Sequence, residues 1–388
     1  MILAKRYKHT RTQTLNICKD LQPEDTVAQA EEFTSPPKWH LAHSTWFFET
    51  FVLKKYLKGY KEFNHDFHFL FNSYYESLGA RVARNQRGFL SRPFLSEVYE
   101  YRNYVDAQME SVFENEPGKH LCDTIELGLQ HEQQHQELLV TDTKYMFSQN
   151  PLMPKWNPSL FYADKELPAI VNWLSIEEAI VTIGHEGLDF CFDNELGAHK
   201  QYLQNFSIAD RVVTNQEYLE FIAAGGYTNF SLWLADGWAW VLTSLSKAPL
   251  YWQKKDENWL VFGFNGLEKI NPCFPVMHLN YYEADAFARW KGLRLPTEFE
   301  FETAAKRYPQ YFEPAVWQWT QSAYLPYPGF KIATGAVGEY NGKFMINQMV
   351  LRGGSIATPR GHARSTYRNF FNPHLQWQFS GIRLVKNI

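Results

Sequence analysis

The stretch HEQQHQELL, residues 131–139, sets His131 and His135 four positions apart in a run with helical periodicity. On a helix, positions i and i+4 lie one above the other on a single face. Neutral imidazoles at that spacing can chelate one divalent metal. The pair shares a stripe with Thr124, Gly128, Leu138 and Asp142, beside Leu121, Ile125 and Leu139, so it faces or borders a bundle interior. The plainer account is two histidines bonded to Glu or Gln neighbours at a helix surface, because spacing alone is weak evidence for a metal. A second source of imidazole is KWHLAHSTWFFE, which offers His40 and His43 on another helix. His43 lies in line with Trp39, Trp46 and Thr50, so it can point inward. Three histidines from two helices would make an all-nitrogen site with open coordination positions, suited to Zn(II) or non-haem Fe(II). The residues choose neither the metal nor between His40 and His43. HEQQH also fits the letters HExxH, but the third downstream ligand of the zinc proteases is missing.

A second reactive stretch is FNSYYESLGARVARNQRGFLSRP, where Tyr74 and Tyr75 precede Arg81, Arg84, Arg87 and Arg92. Guanidinium groups there could clamp a carboxylate, and a phenol could donate a proton. The alternative is a structural loop whose arginines pair with nearby acids.

These residues need a scaffold. Segments 39–60, 96–114 and 120–147 carry apolar residues at three-to-four spacing without internal proline, and Pro36-Pro37 marks a helix entry with Ser35 as its cap. With a further helix near 3–32, residues 1–150 are expected to form a four-helix bundle. The run 63–93 breaks the pattern as a long irregular loop, which in a compact domain is more often functional than idle. Four prolines in 148–170 mark a linker, taken as 151–170. Residues 171–388 turn to short segments with frequent Gly, Trp and Tyr, and one helix stands out, YYEADAFARWKG, followed by RLPTEFEFETAAKR. The expected class is α+β, with a loop-rich second domain on a rigid scaffold.

At 388 residues two domains are expected. The 17% aromatic content suits pockets able to hold a cation. A net charge of −4 gives no electrostatic case for nucleic acid or an anionic membrane. Four scattered cysteines form no CxxC pair, the N-terminus lacks the apolar core of a signal peptide, and no stretch nears the roughly 18 apolar residues of a membrane span. A cytoplasmic protein is expected, and homo-oligomer formation is compatible with the sequence.

PPKWHLAHSTWFFETFVL together with HEQQHQELL resembles the DinB-type bundle of the iron(II)-dependent sulfoxide synthases of ergothioneine biosynthesis (the EgtB family). The segments 192–227, 293–305 and 350–384 resemble that family's second domain, of formylglycine-generating-enzyme (C-type-lectin-like) fold. The match runs from about residue 33 to the end in the family's order. The resemblance implies Fe(2+) as cofactor, with His43, His131 and His135 as its ligands and His40 outside the first shell. It implies hercynine, cysteine and O2 as substrates, joined to hercynylcysteine sulfoxide. The YY pair resembles the cysteine-using branch, where a loop tyrosine is the catalytic acid, so Tyr74 and Tyr75 are expected at the reaction centre and Arg84 and Arg87 on the cysteine carboxylate. In STYRNFF, a segment that lies over the iron in this family, Asn369, Phe370 and Phe371 are expected to meet hercynine, with Gln134 beside the triad. Where the glutamylcysteine-using branch has an acid, this chain has Phe371, which favours free cysteine. Sister enzymes of ovothiol or selenoneine type, and a DinB-type thiol transferase, are the competing readings.

Overall fold

The computed structural model describes residues 2–73, 79–162, 165–332 and 341–388. The chain divides into two compact units, the first running to Leu160 and taking in Phe264–Gly266, the second holding Phe161–Gly263 and the chain's remaining C-terminal part. The division falls within the proline-rich stretch 151–170. No helix among the described residues is long and apolar enough to cross a membrane.

The first unit is built on α1 (Ile2–Cys18), α2 (Pro37–Phe48), α3 (Leu95–Glu114) and α4 (Lys119–Ser148). Helix α2 packs against α3 and α4, and α1 against α4. Every residue of α2 is buried, so most of its polar side chains need partners. Lys38 accordingly donates to the carbonyls of Leu90 and Pro93, at 2.7 and 2.9 Å. Pro36 occupies the N-cap position and Pro37 the first turn, where a missing N–H costs nothing. Ser35 is therefore not the cap. Its backbone N–H donates to Asp142 and its hydroxyl accepts from Arg87.

After Phe48 the helix widens into a π turn over Glu49–Leu53 and resumes as Lys54–Tyr56. Such turns shift the register of the next helical segment and are frequent near functional sites. Here the turn is braced by Glu49, buried and accepting from Tyr60 Oη (2.5 Å), Tyr101 Oη (2.6 Å) and the Phe63 N–H (3.1 Å). Among its described residues, the run 63–93 holds a short helix, Phe67–Phe71, and a 3₁₀ turn, Arg84–Phe89, and Phe63 and Phe67 pack on Tyr101 of α3.

The second unit mixes strands and helices, as its class predicts. Strands β1 (Trp173–Ile176), β4 (Phe206–Ala209) and β9 (Val385–Asn387) form one antiparallel sheet, and β2 (Ala179–Ile183) pairs with β3 (His199–Leu203). A four-stranded sheet takes β5 (Trp317–Ala323), β6 (Met349–Arg352), β7 (Asn369–Phe371) and β8 (Ser380–Gly381) in the order β7-β6-β5-β8, with β8 parallel to β5. The helices are α5 (Asn215–Ala223), α6 (Ala235–Ser244), α7 (Tyr281–Trp290) and α8 (Glu298–Arg307). Of these, α7 is the one that stands out in the sequence. Three of the four nevertheless begin with a reciprocal cap written in the sequence, Thr214–Glu217, Asn280–Glu283 and Thr297–Glu300.

Candidate metal centre

One nitrogen from each of His43, His131 and His135 comes within 4.8 Å of the others, the only such His, Cys, Asp or Glu group among the described residues. Helix α2 contributes the first histidine and α4 the other two, so the packing of these helices makes the site. His43 donates from Nδ1 to the Phe71 carbonyl (2.6 Å), which leaves Nε2 as a bare lone pair. That Nε2 faces His131 Nε2 at 3.2 Å. Trp39 and Trp46 stack on the His43 ring, at centroid distances of 4.5 and 5.5 Å.

Burial pushes His131 down to about 4, and it holds His43 and His135 well below the usual histidine range, with the neighbouring imidazoles adding to the effect. At neutral pH the three rings are uncharged bases. His131 Nδ1 is buried without a hydrogen-bond partner. A closed group of neutral nitrogen donors containing no carboxylate or ammonium fits a divalent metal by the chemistry of its donors. His40 stands just outside. Its Nδ1 lies 2.9 Å from His135 Nδ1 and its Nε2 lies 3.1 Å from Asp142 Oδ2.

Glu132 settles the HExxH alternative. It turns away from the histidines into a buried cluster, accepting from Arg11 (3.1 Å), Arg102 (3.0 Å) and Thr14 (2.6 Å). Burial alone would raise its pKa, but the two guanidinium groups prevail and hold it down to about 2. A carboxylate so neutralised is no general base for a metal-bound substrate. It is a structural anchor joining α1, α3 and α4.

Tyr74 and Tyr75 lie outside the described residues. Arg87 is buried, with its guanidinium 3.4 Å from the Trp39 ring centroid and its terminal nitrogens donating to Ser35 and Ser73 at 2.9 Å. Thus Arg87, Trp39 and His43 stack in succession, and Arg87 also holds the residue preceding Tyr74. Arg84 is partly buried and donates to the Phe33 carbonyl. Gln134 is partly buried on α4, one residue before His135.

Asn369, Phe370 and Phe371 form β7 in the second unit and are all partly buried. Phe370 stacks on Tyr324 at 4.0 Å, and Phe371 meets Trp377 edge-on at 5.0 Å. Tyr324 is fixed by Asn194, whose amide donates to its hydroxyl. Arg368 is buried in an ion pair with Glu298 (2.8 Å) that anchors the strand. Asp142 is a supporting residue that motif reading missed, although it lies on the same stripe of α4 as both histidines. The Phe71 carbonyl carried no signal at all, since no side-chain pattern announces a backbone acceptor.

Residues 166–313 match the Sulfatase-modifying factor enzyme 1-like domain. The chain is 32% identical over 241 residues to "Hercynine oxygenase" of Mycobacterium tuberculosis, covering 50% of this chain and 56% of that one. It is 28% identical over 337 residues to "Hercynine oxygenase" of Mycolicibacterium smegmatis, covering 72% and 74%. "Ergothioneine biosynthesis protein 1" of Schizosaccharomyces pombe is 27% identical over 52% of this chain and 29% of its own length. The alignment thus spans about half the length of the Mycobacterium tuberculosis relative.

Proposed function

We propose, on the premise that the chain belongs with the hercynine oxygenases of the ergothioneine sulfoxide-synthase family, that it joins cysteine sulfur to the imidazole C2 of hercynine in an iron- and O2-dependent reaction. The observation that carries this reading is the convergence of three neutral imidazoles, two buried and one partly buried, from two helices. Bound Fe(2+) would supply dioxygen activation and a binding place for a thiolate, leaving the chain to bind, orient and move protons.

Several residues of this chain suit those tasks. His43, His131 and His135 would hold the metal, with His43 fixed from behind by the Phe71 carbonyl and by two indoles. Arg84 and Arg87 would receive the cysteine carboxylate. At Arg87 the carboxylate would displace a serine hydroxyl, exchanging a neutral hydrogen bond for a charge-assisted one. The trimethylammonium head of hercynine cannot donate a hydrogen bond, and aromatic faces attract such a cation by roughly 0.5–2 kcal/mol per contact. Phe370 and Phe371 are assigned to it, with Asn369 and Gln134 on the polar groups. Tyr324 at 4.0 Å and Phe344 at 5.9 Å both stack on Phe370, so the cation would have only the ring area that these two leave. Tyr74 or Tyr75 would deliver the proton that separates carbon–sulfur coupling from oxidation of the thiol alone, because an unperturbed phenol stays protonated at neutral pH.

The test is purification without oxygen, loading with Fe(2+), and product analysis after adding hercynine, cysteine and O2. Oxygen-dependent hercynylcysteine sulfoxide is expected, with cysteine preferred to γ-glutamylcysteine in competition. No coupled product from the iron-loaded protein refutes the reading. One of Tyr74→Phe and Tyr75→Phe should divert cysteine to its sulfinate. Parental rate and product ratio in both variants would remove the tyrosines from the chemistry.

A further inference from the structure

His135 differs from the other two histidines of the site. His43 gives its outer N–H to a backbone carbonyl and the outer nitrogen of His131 has no partner, but His135 meets a second histidine. His40 lies one helical turn before His43 on α2, and Asp142 lies two turns beyond His135 on α4. The two helices thus bring Asp142, His40 and His135 into line, with contacts of 3.1 Å and 2.9 Å. Asp142 Oδ2 also accepts the Ser35 N–H at 2.8 Å, which holds the carboxylate at the entry to α2.

The protons in this line are determined by simple bookkeeping. A carboxylate only accepts, so the 3.1 Å contact requires a proton on His40 Nε2. With its one ring proton committed to Asp142, His40 keeps a lone pair on Nδ1. The 2.9 Å contact then requires a proton on His135 Nδ1, and the remaining lone pair of His135 is on Nε2. We propose that Asp142 and His40 act as positioning residues that fix His135 as its Nδ1–H tautomer, so that Nε2 is the nitrogen offered to the metal. Both sites of His40 are committed, which is why it adds no fourth ligand. The inference rests on the reading of His43, His131 and His135 as a metal site and deepens it. Outer partners of this kind typically change metal affinity by about 10–100-fold when removed.

The experiment titrates the metal-free full chain with Co(2+), following affinity and the visible ligand-field spectrum. His40→Leu removes both hydrogen bonds. His40→Gln is the rescue, because its amide can accept from His135 and donate to Asp142. We expect His40→Leu to bind Co(2+) about 10–100-fold more weakly with a shifted spectrum, and His40→Gln to recover most of the affinity. Parental affinity and spectrum in His40→Leu overturn the relay while leaving the metal site standing. Loss in both variants overturns it too, since the bulk of the side chain would then be what matters. No Co(2+) binding by the unaltered protein sinks the metal site and the relay together. Should His40→Leu not fold, nitrogen NMR of the metal-free parent decides alone, and an Nε2–H tautomer at His135 refutes the proposal.

Discussion

His131 and Glu132 are neighbours in the chain and both are buried, yet burial leaves one uncharged and the other ionised. The difference lies in what the opposing helices supply. On the Glu132 side, α1 and α3 bring Arg11 and Arg102, which balance the carboxylate completely. On the His131 side, α2 brings another imidazole and two indoles, and nothing charged enters the ligand group. One side of α4 is therefore finished by the fold, and the other gathers lone pairs that a cation would complete. Charge alone separates a structural cluster from a candidate metal site built on adjacent residues.

The largest effect comes from breaking the finished side. Glu132→Ala would leave two buried guanidinium groups without their shared partner, and removing one member of a buried pair costs about 3–5 kcal/mol. Denaturant unfolding should show that loss, and a change below about 1 kcal/mol would mean that water or Asp106 already balances Arg11. The same group gives a pH signature. Its folded-state pKa lies below the unfolded value of 4.5, so its contribution is present above that pH and is lost as pH falls towards about 2. A shift of that size corresponds to roughly 3 kcal/mol, which Glu132→Gln should not show across the same interval.

Breaking the unfinished side should behave in the opposite way. A metal that binds only the folded chain stabilises it by about 2.7 kcal/mol at a hundredfold excess over Kd. The parent should gain that much with Fe(2+) under anaerobic conditions, whereas His131→Ala should gain almost nothing and unfold without metal much like the parent. Glu132→Gln, if folded, should keep the metal response. A variant pair with the responses exchanged would show that the two sides of α4 have been assigned the wrong way round.

The sequence made much of this legible because three helices of the bundle carry long periodic patterns, and the i, i+4 histidines fall on one of them. The choice of His43 over His40 was not in the spacing. It depended on Phe71 accepting from one ring and Asp142 from the other, and both are contacts between distant parts of the chain. The π turn at Glu49–Leu53 escaped notice because its letters continue an ordinary helical pattern, and its brace comes from residues 11 to 52 positions downstream. Helices α5 and α6 were missed for a different reason. Each spans only about three turns, and α6 buries just Gly237 and Val241, so it offers little periodicity to read. The cap Thr214–Glu217 was available and would have placed the start of α5. Arg87 was singled out by its type alone, and composition could not reveal that it is also buried against Trp39, Ser35 and Ser73, which fix its guanidinium.

Glu283 sharpens the comparison from the second unit with the smallest expected change. It is as buried as Glu132, but among the described residues no arginine pairs with it. Its partners are the Tyr227 hydroxyl (2.5 Å), the Asn280 N–H (2.8 Å) and the Gln376 amide (2.7 Å), all neutral. Desolvation therefore wins over these hydrogen bonds and raises its pKa to about 7. The sign is reversed from Glu132. Its folded-state pKa exceeds the unfolded 4.5, so its favourable contribution is full below pH 4.5 and is lost as pH rises through about 7. Glu283→Gln can keep the network, because the new amide can donate to Tyr227 while Tyr227 turns its own proton to Tyr218, 3.0 Å away. At pH 5 the variant should lie within about 1 kcal/mol of the parent, the worth of a single exchanged hydrogen bond. Between pH 5 and 8 the parent should lose stability relative to the variant. Parallel pH profiles for the two proteins would mean that Glu283 is ionised throughout, and that three neutral donors can do in one unit what two arginines do in the other.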